Sequence, residues 1–127
     1  MSKLNKPLGV FVSNGEVFIC DTNNHCVRKL LRNGQIVTIA GNGERRLDKL
    51  NDGQLATKVQ LNCPSSVAVS SSNQVYISED DHRIRKIDRN GIISTIAGTG
   101  TCGYNGDNQL GFTHIGILAT FLYAIWK

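Results

Sequence analysis

Short apolar runs alternate with turn residues along most of this chain. In the first half the runs are Val10–Val12, Val17–Cys20, Cys26–Leu31 and Ile36–Ala40. Asn33-Gly34 lies between the third and fourth runs. Asn-Gly between two strand-like runs is the strongest short hairpin signal, because both central residues of a type I′ turn need a positive φ. The pattern therefore predicts a four-stranded antiparallel meander.

The same pattern returns later in the chain. His25–Gly43 and His82–Gly100 are identical at 12 of 19 positions with a fixed offset of 57. Runs such as Val75–Ile77 are continuously apolar, which suits a strand covered on both faces, whereas a sheet with one wet face would alternate. A repeat of this period marks a solenoid, propeller or array. Radially stacked blades bury both faces of each sheet, so the pattern favours a β-propeller.

The motifs of the second unit resemble those of the NHL-repeat family of six-bladed propellers. The first unit carries the family's Asn24-His25 pair, and the second has Asp81 in place of the asparagine. The resemblance covers Leu4 to about Leu110 and implies a recognition scaffold; some members bind RNA, and a few relatives with this architecture are enzymes. The motifs are Pro64–Val69, Val75–Ile77, His82–Ile87, Ile93–Gly100 and Asn105–Asp107.

The predicted fold class is all-β, with tandem four-stranded antiparallel blades of an incomplete β-propeller. Two blades cannot close a ring, since propellers usually need at least about four. Such a pair would expose apolar blade faces, and three copies would complete a six-bladed ring. The inter-blade loop is expected to hold a short helix from Asp52 to Leu61, with Asp52 as its N-cap. The predicted sections are residues 4–43 (blade 1), 44–60 (inter-blade loop), 61–100 (blade 2), 101–109 (start of the next loop) and 110–127 (divergent apolar tail).

The tail, residues 110–127, departs abruptly from the repeat, and three interpretations stay open. An out-of-frame or intron-derived ending of a truncated propeller gene is favoured, because the departure falls inside a repeated motif. Alternatively, residues 110–126 contain no Asp, Glu, Lys or Arg and would form an apolar helix about 25 Å long, the lower margin for a membrane anchor of a sensor. The third interpretation is a cover for an exposed blade edge.

Basic residues form two candidate sites for a partner, one for RNA and one for a protein. The net charge of +4 permits an acidic or nucleic-acid partner without arguing for one. Arg28-Lys29 and Arg85-Lys86 recur and would form a basic stripe for RNA phosphates, but interleaved acidic residues favour local pairing. Unrepeated residues are the better candidates for binding a protein partner. These are Arg45, Arg46 and Lys49 on the inter-blade loop.

No catalytic, cofactor or metal site is predicted. His25 and His82 recur, so we expect them to brace the turn before the third strand, since no Cys or carboxylate recurs with them at ligand spacing. Cys20 and Cys26 are expected to be structural thiols, with a disulfide as the alternative. The N-terminus lacks the apolar core of a signal peptide, so nothing directs secretion and the cytoplasm is slightly favoured. The predicted function is a non-enzymatic interaction scaffold, with RNA binding and membrane-anchored sensing as alternatives.

Overall fold

The computed structural model of the protein describes residues 3–47 and 50–100. These residues form two antiparallel sheets with the strand orders β1-β2-β3-β4 and β5-β9-β8-β7-β6. The all-β prediction is confirmed, and the open sheets fit two blades of an incomplete propeller. We call β1–β4 blade 1 and β5–β9 blade 2. The strands are β1 (Pro7–Ser13), β2 (Glu16–Asp21), β3 (Cys26–Leu30), β4 (Ile36–Ala40), β5 (Gln54–Leu55), β6 (Pro64–Val69), β7 (Val75–Glu79), β8 (Arg83–Ile87) and β9 (Ile92–Ala97).

The hairpin turns follow the Asn-Gly pairs, but the predicted turn type occurs elsewhere. Asn14 and Gly15 both have positive φ and connect the paired residues Ser13 and Glu16, which is the type I′ geometry. At Asn33-Gly34 only the glycine has a positive φ, and the Gly34 N–H donates to the Leu31 carbonyl (3.0 Å). This longer turn relieves the asparagine of the left-handed conformation. The type I′ prediction for the β3–β4 hairpin was therefore wrong.

A recurring glycine fixes how the end of each blade packs. Gly41 follows β4 and Gly98 follows β9, and both have positive φ. A Cβ added at Gly41 would overlap the carbonyl oxygen of His25, and one at Gly98 would overlap that of His82. The two backbones approach so closely that only glycine fits. His25 and His82 are themselves in the left-handed region, so the histidine turn and the glycine form one structural unit, as expected of residues that recur.

The core lies between the two blades. Blade 1 contributes Phe18, Cys20 and Val27, and the inter-blade loop contributes Val59 and Leu61. Burial of these side chains removes apolar surface from water and joins the sheets. The blade 2 members of this cluster are Val67, Val69, Val75, Ile77, Ile87 and Ile93.

The inter-blade loop does not form the predicted helix. Residues 54–55 instead form β5, which pairs with β9, and Ala56–Lys58 make a single 3₁₀ turn. Leu55 is the N-cap of that turn, while Asp52 binds Arg85. The carboxylate binds a buried guanidinium and strand β9 instead of the N–H groups of a helix N-terminus, which is the physical reason for the difference.

The last predicted sections, 101–109 and 110–127, lie outside the described residues. The three interpretations of the tail therefore stay predictions. Within residues 3–47 and 50–100, no helix has the length and apolar character needed to span a bilayer.

Candidate interaction surface

Each blade contains the same buried pair of an acid and an arginine. In blade 1, Arg28 Nη1 lies 3.3 Å from Asp21 Oδ2, and in blade 2, Arg85 Nη1 lies 3.0 Å from Glu79 Oε1. Asp21 ends β2 and Glu79 ends β7, the strands that occupy the same place in the two meanders. Because both carboxylates are buried, they need such charge-assisted partners.

The same two acids also hold the start of each blade. The Asn5 N–H donates to Asp21 (2.7 Å), and the Asn62 N–H donates to Glu79 (2.7 Å). Asn5 and Asn62 each stand two residues before the proline that begins a strand, β1 in blade 1 and β6 in blade 2. The acid therefore connects its own strand to the segment that begins the meander and to the strand that carries the arginine. The recurring arginine thus has a structural role inside its own blade.

Blade 2 extends this pair into a larger network with charges from the inter-blade loop. Arg46 is only 3% exposed, and its Nη1 lies 3.1 Å from Glu79 while its Nη2 pairs with Asp81. Asp52 Oδ1 lies 2.9 Å from Arg85 Nη2. The loop position of Arg46 predicted a residue that binds a protein partner, but the structure buries its side chain because two carboxylates of blade 2 need a counter-charge.

The other two predicted partner-binding residues differ from Arg46. Arg45 is exposed, and its backbone forms a parallel bridge with Leu61. Lys49 lies outside the described residues. Of the three, Arg45 is the one whose side chain the structure shows in solvent.

The recurring Arg-Lys pairs do not form one continuous basic stripe. Consecutive strand residues point to opposite faces of a sheet, so each arginine and its following lysine are separated by the sheet. Arg85 is fully buried between Glu79 and Asp52. Lys29 lies 3.4 Å from Glu16 and 5.5 Å from the ring of Phe18. Lys86, on the opposite face of β8 from Arg85, is half-buried.

His25 joins the two blades. Its Nδ1 accepts the N–H of Cys63 (3.2 Å), which fixes the neutral ring with its proton on Nε2. Burial lowers the pKa of His25, and the nearby Arg45 lowers that pKa further. Both effects favour the neutral form that the Cys63 N–H requires. His25 is thus a structural acceptor at the junction between the blades.

The thiols are free in the described part of the chain. Cys20 pairs with Val27 across the β2–β3 ladder and Cys26 pairs with Asp21, so their side chains leave opposite faces of the sheet. The disulfide alternative for Cys20 and Cys26 is therefore wrong. Burial raises the pKa of Cys20 to about 12, so this thiol stays protonated. No three His, Cys, Asp or Glu side chains come together as a metal site within residues 3–47 and 50–100.

One apolar surface of blade 1 is exposed. Val10 is 66% exposed and Val12 is 65% exposed. Their counterparts in blade 2, Val67 and Val69, are 5% and 7% exposed because they pack into the core between the blades. Cross-strand pairing extends this row through Ile19 and Arg28 to the last strand of the blade. We call it the outer face of blade 1: Val10, Val12, Ile19, Arg28 and Thr38.

Two related protein-family models match parts of this chain. A model of the NHL repeat matches residues 4–30, and a model of the teneurin NHL domain matches residues 45–106. Teneurin-3 of Danio rerio is 36% identical over 98 residues, covering 67% of this chain and 4% of the relative. NHL repeat-containing protein 2 of Gallus gallus is 36% identical over 94 residues, covering 72% of this chain and 12% of the relative. The chain therefore spans a small part of these relatives.

Solved structures support the same architecture. A protein of unknown function from Bacteroides thetaiotaomicron aligns with a TM-score of 0.63 and 21% identity, over 79% of this chain and 26% of that one. Virginiamycin B lyase from Staphylococcus aureus aligns with a TM-score of 0.50 and 20% identity, over 80% and 27%. Identities this low indicate the fold alone. With its two repeated meanders, its buried acid–arginine pairs and its matching sequence models, the chain belongs to the NHL-repeat family of β-propeller proteins.

Proposed function

We propose that this chain is a non-enzymatic protein-interaction scaffold whose outer face of blade 1 packs against a further propeller blade. The observation that carries the proposal is the exposure of Val10 and Val12, whose counterparts Val67 and Val69 are buried by blade 1 itself. The contact between the two blades is thus a template for the contact that the outer face would make.

Apolar burial supplies the driving force for this contact. Fully burying a valine side chain stabilises an assembly by about 1.5–3 kcal/mol before the entropy cost of association is subtracted. Leu8, which is 56% exposed, extends the apolar area at the start of β1. Exposed apolar residues that adjoin one another in this way mark interaction sites.

The occupant that fits this surface best is a blade of the same type. Val67 and Val69 are covered by the face of blade 1 that carries Phe11 and Phe18. The counterpart of that face in blade 2 carries Ala68 and Tyr76. A second copy would place this face of its blade 2 on the outer face of blade 1, so self-association of a purified sample reports the contact. A six-bladed ring of three copies is one arrangement that such contacts would produce.

Sedimentation velocity of residues 1–127 over a wide concentration range tests the proposal. We expect reversible self-association in the wild type and a monomer in the double variant Val10→Lys/Val12→Lys. Both positions are solvent-exposed, so the variant should keep the thermal unfolding midpoint of the wild type. Leu47→Lys is the matched control, since Leu47 is 83% exposed on the loop. A wild type that stays monomeric, or a control that dissociates as completely as the double variant, would overturn the proposal.

A further inference from the structure

Blade 2 contains a complete binding site for an aspartate, filled by the chain itself. The Asp52 carboxylate accepts three hydrogen bonds: from Arg85 Nη2 (2.9 Å), from the Thr95 N–H (3.1 Å) and from the Thr95 hydroxyl (3.2 Å). Arg85 and Thr95 are directly paired across β8 and β9. A guanidinium, a hydroxyl and a backbone N–H together are a strong carboxylate receptor because the bonds are charge-assisted.

The residues that follow Asp52 then add a short strand to blade 2. The Gly53 N–H donates to the Ile93 carbonyl (2.8 Å), and the Ala56 N–H donates to the Gly91 carbonyl (2.9 Å). Between them, β5 pairs Gln54 with Ile93 and Leu55 with Ile92. The segment Asp-Gly-Gln-Leu therefore anchors its carboxylate and covers the edge of β9 by strand addition.

Blade 1 has the same receptor with its carboxylate site open. Arg28 is directly paired with Thr38 across β3 and β4, as Arg85 is with Thr95. Arg28 Nη1 binds Asp21, as Arg85 Nη1 binds Glu79. Within residues 3–47 and 50–100, Arg28 has no second carboxylate and the Thr38 hydroxyl has no hydrogen-bond partner.

The space around this pair is open. Arg28 and Thr38 line a cleft of about 560 Å³, together with Asn24, Cys26, Gly41 and Asn42. In the described part of the chain β4 is an edge strand, whereas its counterpart β9 is covered by β5. The cleft therefore has both elements that Asp52 and β5 use in blade 2: the paired arginine and threonine, and an uncovered strand edge.

We propose that this cleft binds an aspartate-bearing peptide segment of the type Asp-x-Gln-Leu, which adds a strand to the edge of β4. The occupant we infer is residues 107–110 of a second copy, whose sequence Asp-Asn-Gln-Leu is the counterpart of Asp-Gly-Gln-Leu at 52–55. The carboxylate would bind Arg28 and Thr38, and the following residues would pair with Ile36. The inference rests on the proposed function, since Arg28 and Thr38 belong to the outer face of blade 1.

Peptide titration tests the receptor directly. The probe is the acetylated and amidated peptide of residues 51–56, added to the ¹⁵N-labelled chain, and the control peptide carries Asn in place of the aspartate. We expect saturable amide shifts at Ile36 and Thr38, and at least about tenfold weaker binding of the control peptide, since hydrogen bonds to a charged acceptor are stronger than those to a neutral one. Equal binding of both peptides, or no shift at these residues, would overturn the receptor.

A matched pair of variants separates the site from general changes in β4. Thr38→Val removes the hydroxyl but keeps the shape and the N–H, so we expect several-fold weaker binding of the aspartate peptide. Val37→Thr changes the adjacent residue, whose side chain leaves the other face of β4, and should bind as the wild type does. Both residues are exposed, so neither substitution should prevent folding. Equal affinities of the two variants would contradict the role of Thr38.

The source of the occupant has its own test. Asp107→Asn in the full chain should weaken self-association in sedimentation, while peptide binding at Thr38 is retained. Unchanged self-association would overturn the assignment of residues 107–110 as the occupant. If the chain associates through Val10 and Val12 but does not bind the peptide, the aspartate-binding cleft is overturned and the proposed function stands. If the peptide binds and no self-association occurs, the proposed function fails and the receptor stands.

Discussion

The two blades of this protein share one internal plan but differ in their surroundings. Each has an acid at the end of the strand before the histidine turn, an arginine that binds the acid, and a glycine that packs on a histidine carbonyl. Blade 2 has in addition a neighbour: Val67 and Val69 are buried, and the inter-blade loop supplies Arg46 and Asp52. In blade 1 the equivalent face is open.

The comparison separates residues that build a blade from residues that join blades. The recurring acids, arginines and glycines account for contacts within one sheet. Arg46 and Asp52 attach the inter-blade loop to blade 2, and the buried valines Val67 and Val69 account for the contact between the sheets. A repeat protein is stabilised by both kinds of contact, and the difference between the blades isolates the second kind.

The largest expected difference concerns the two buried acids. Glu79 binds both Arg46 and Arg85, so Glu79→Gln leaves two buried cations with a weaker partner and should lower the free energy of unfolding by about 3–5 kcal/mol. Asp21 binds one partly exposed arginine, so Asp21→Asn should cost about 1–3 kcal/mol. Urea denaturation measures both. Equal costs would contradict the distinction between a lone pair and a network.

The glycine contacts test the claim that the blades are internally alike. Gly41→Ala and Gly98→Ala each force a Cβ into a histidine carbonyl, so both should cost about 2–4 kcal/mol in chemical denaturation. Gly43→Ala is the control, because Gly43 also has a positive φ but faces open space, and should cost about 1–2 kcal/mol. Blade-specific costs at Gly41 and Gly98 would refute the shared plan.

Two adjacent arginines test the contribution of the inter-blade loop. Arg46→Leu removes a buried guanidinium from Glu79 and Asp81 and should cost about 1–3 kcal/mol, since Arg85 still binds Glu79. Arg45→Leu, at an exposed position, should stay within about 0.5 kcal/mol of the wild type. Thermal unfolding of the two variants measures this difference in stability. A larger loss at Arg45 than at Arg46 would show that the loop acts through solvent-facing charge.

The smallest expected effect is the pH dependence of the junction between the blades. The pKa of His25 is lowered in the folded chain, so the unfolded chain binds a proton more readily. The contribution of His25 is therefore fully present above its unfolded pKa of about 6.5 and is lost as the pH falls through its folded pKa. His25→Asn tolerates the left-handed backbone but does not titrate. Its unfolding midpoint should decline less than that of the wild type below about pH 6.5; identical declines would contradict this role.

Sequence patterns were sufficient to predict the blades. The apolar runs predicted the strands because strand pairing is local within a meander, and the recurrence of His25 and Arg28 indicated structural roles that the contacts support. The helix predicted at Asp52 failed because a helix start and a turn before a short strand use the same residues. The carboxylate is bound by Arg85, 33 residues away, and no local pattern shows such a pairing.

The interaction surface was harder to predict from sequence. Val10-Phe11-Val12 and Val67-Ala68-Val69 have the same pattern, yet only one of the two strands is covered. Whether such a strand is buried depends on whether a neighbouring blade packs against it, and the sequence of the strand itself does not determine this. Arg46 was predicted to bind a protein partner because it is an unrepeated residue of the inter-blade loop, although Glu79 and Asp81 bind it in the interior.

The central claim is that the outer face of blade 1 is the open counterpart of a face that is already packed in blade 2. Methyl NMR of the valine side chains during dilution tests it most directly. We expect the Val10 and Val12 signals to change with protein concentration, while those of Val67 and Val69 stay constant. Concentration-dependent signals at Val67 and Val69, with constant signals at Val10 and Val12, would contradict it.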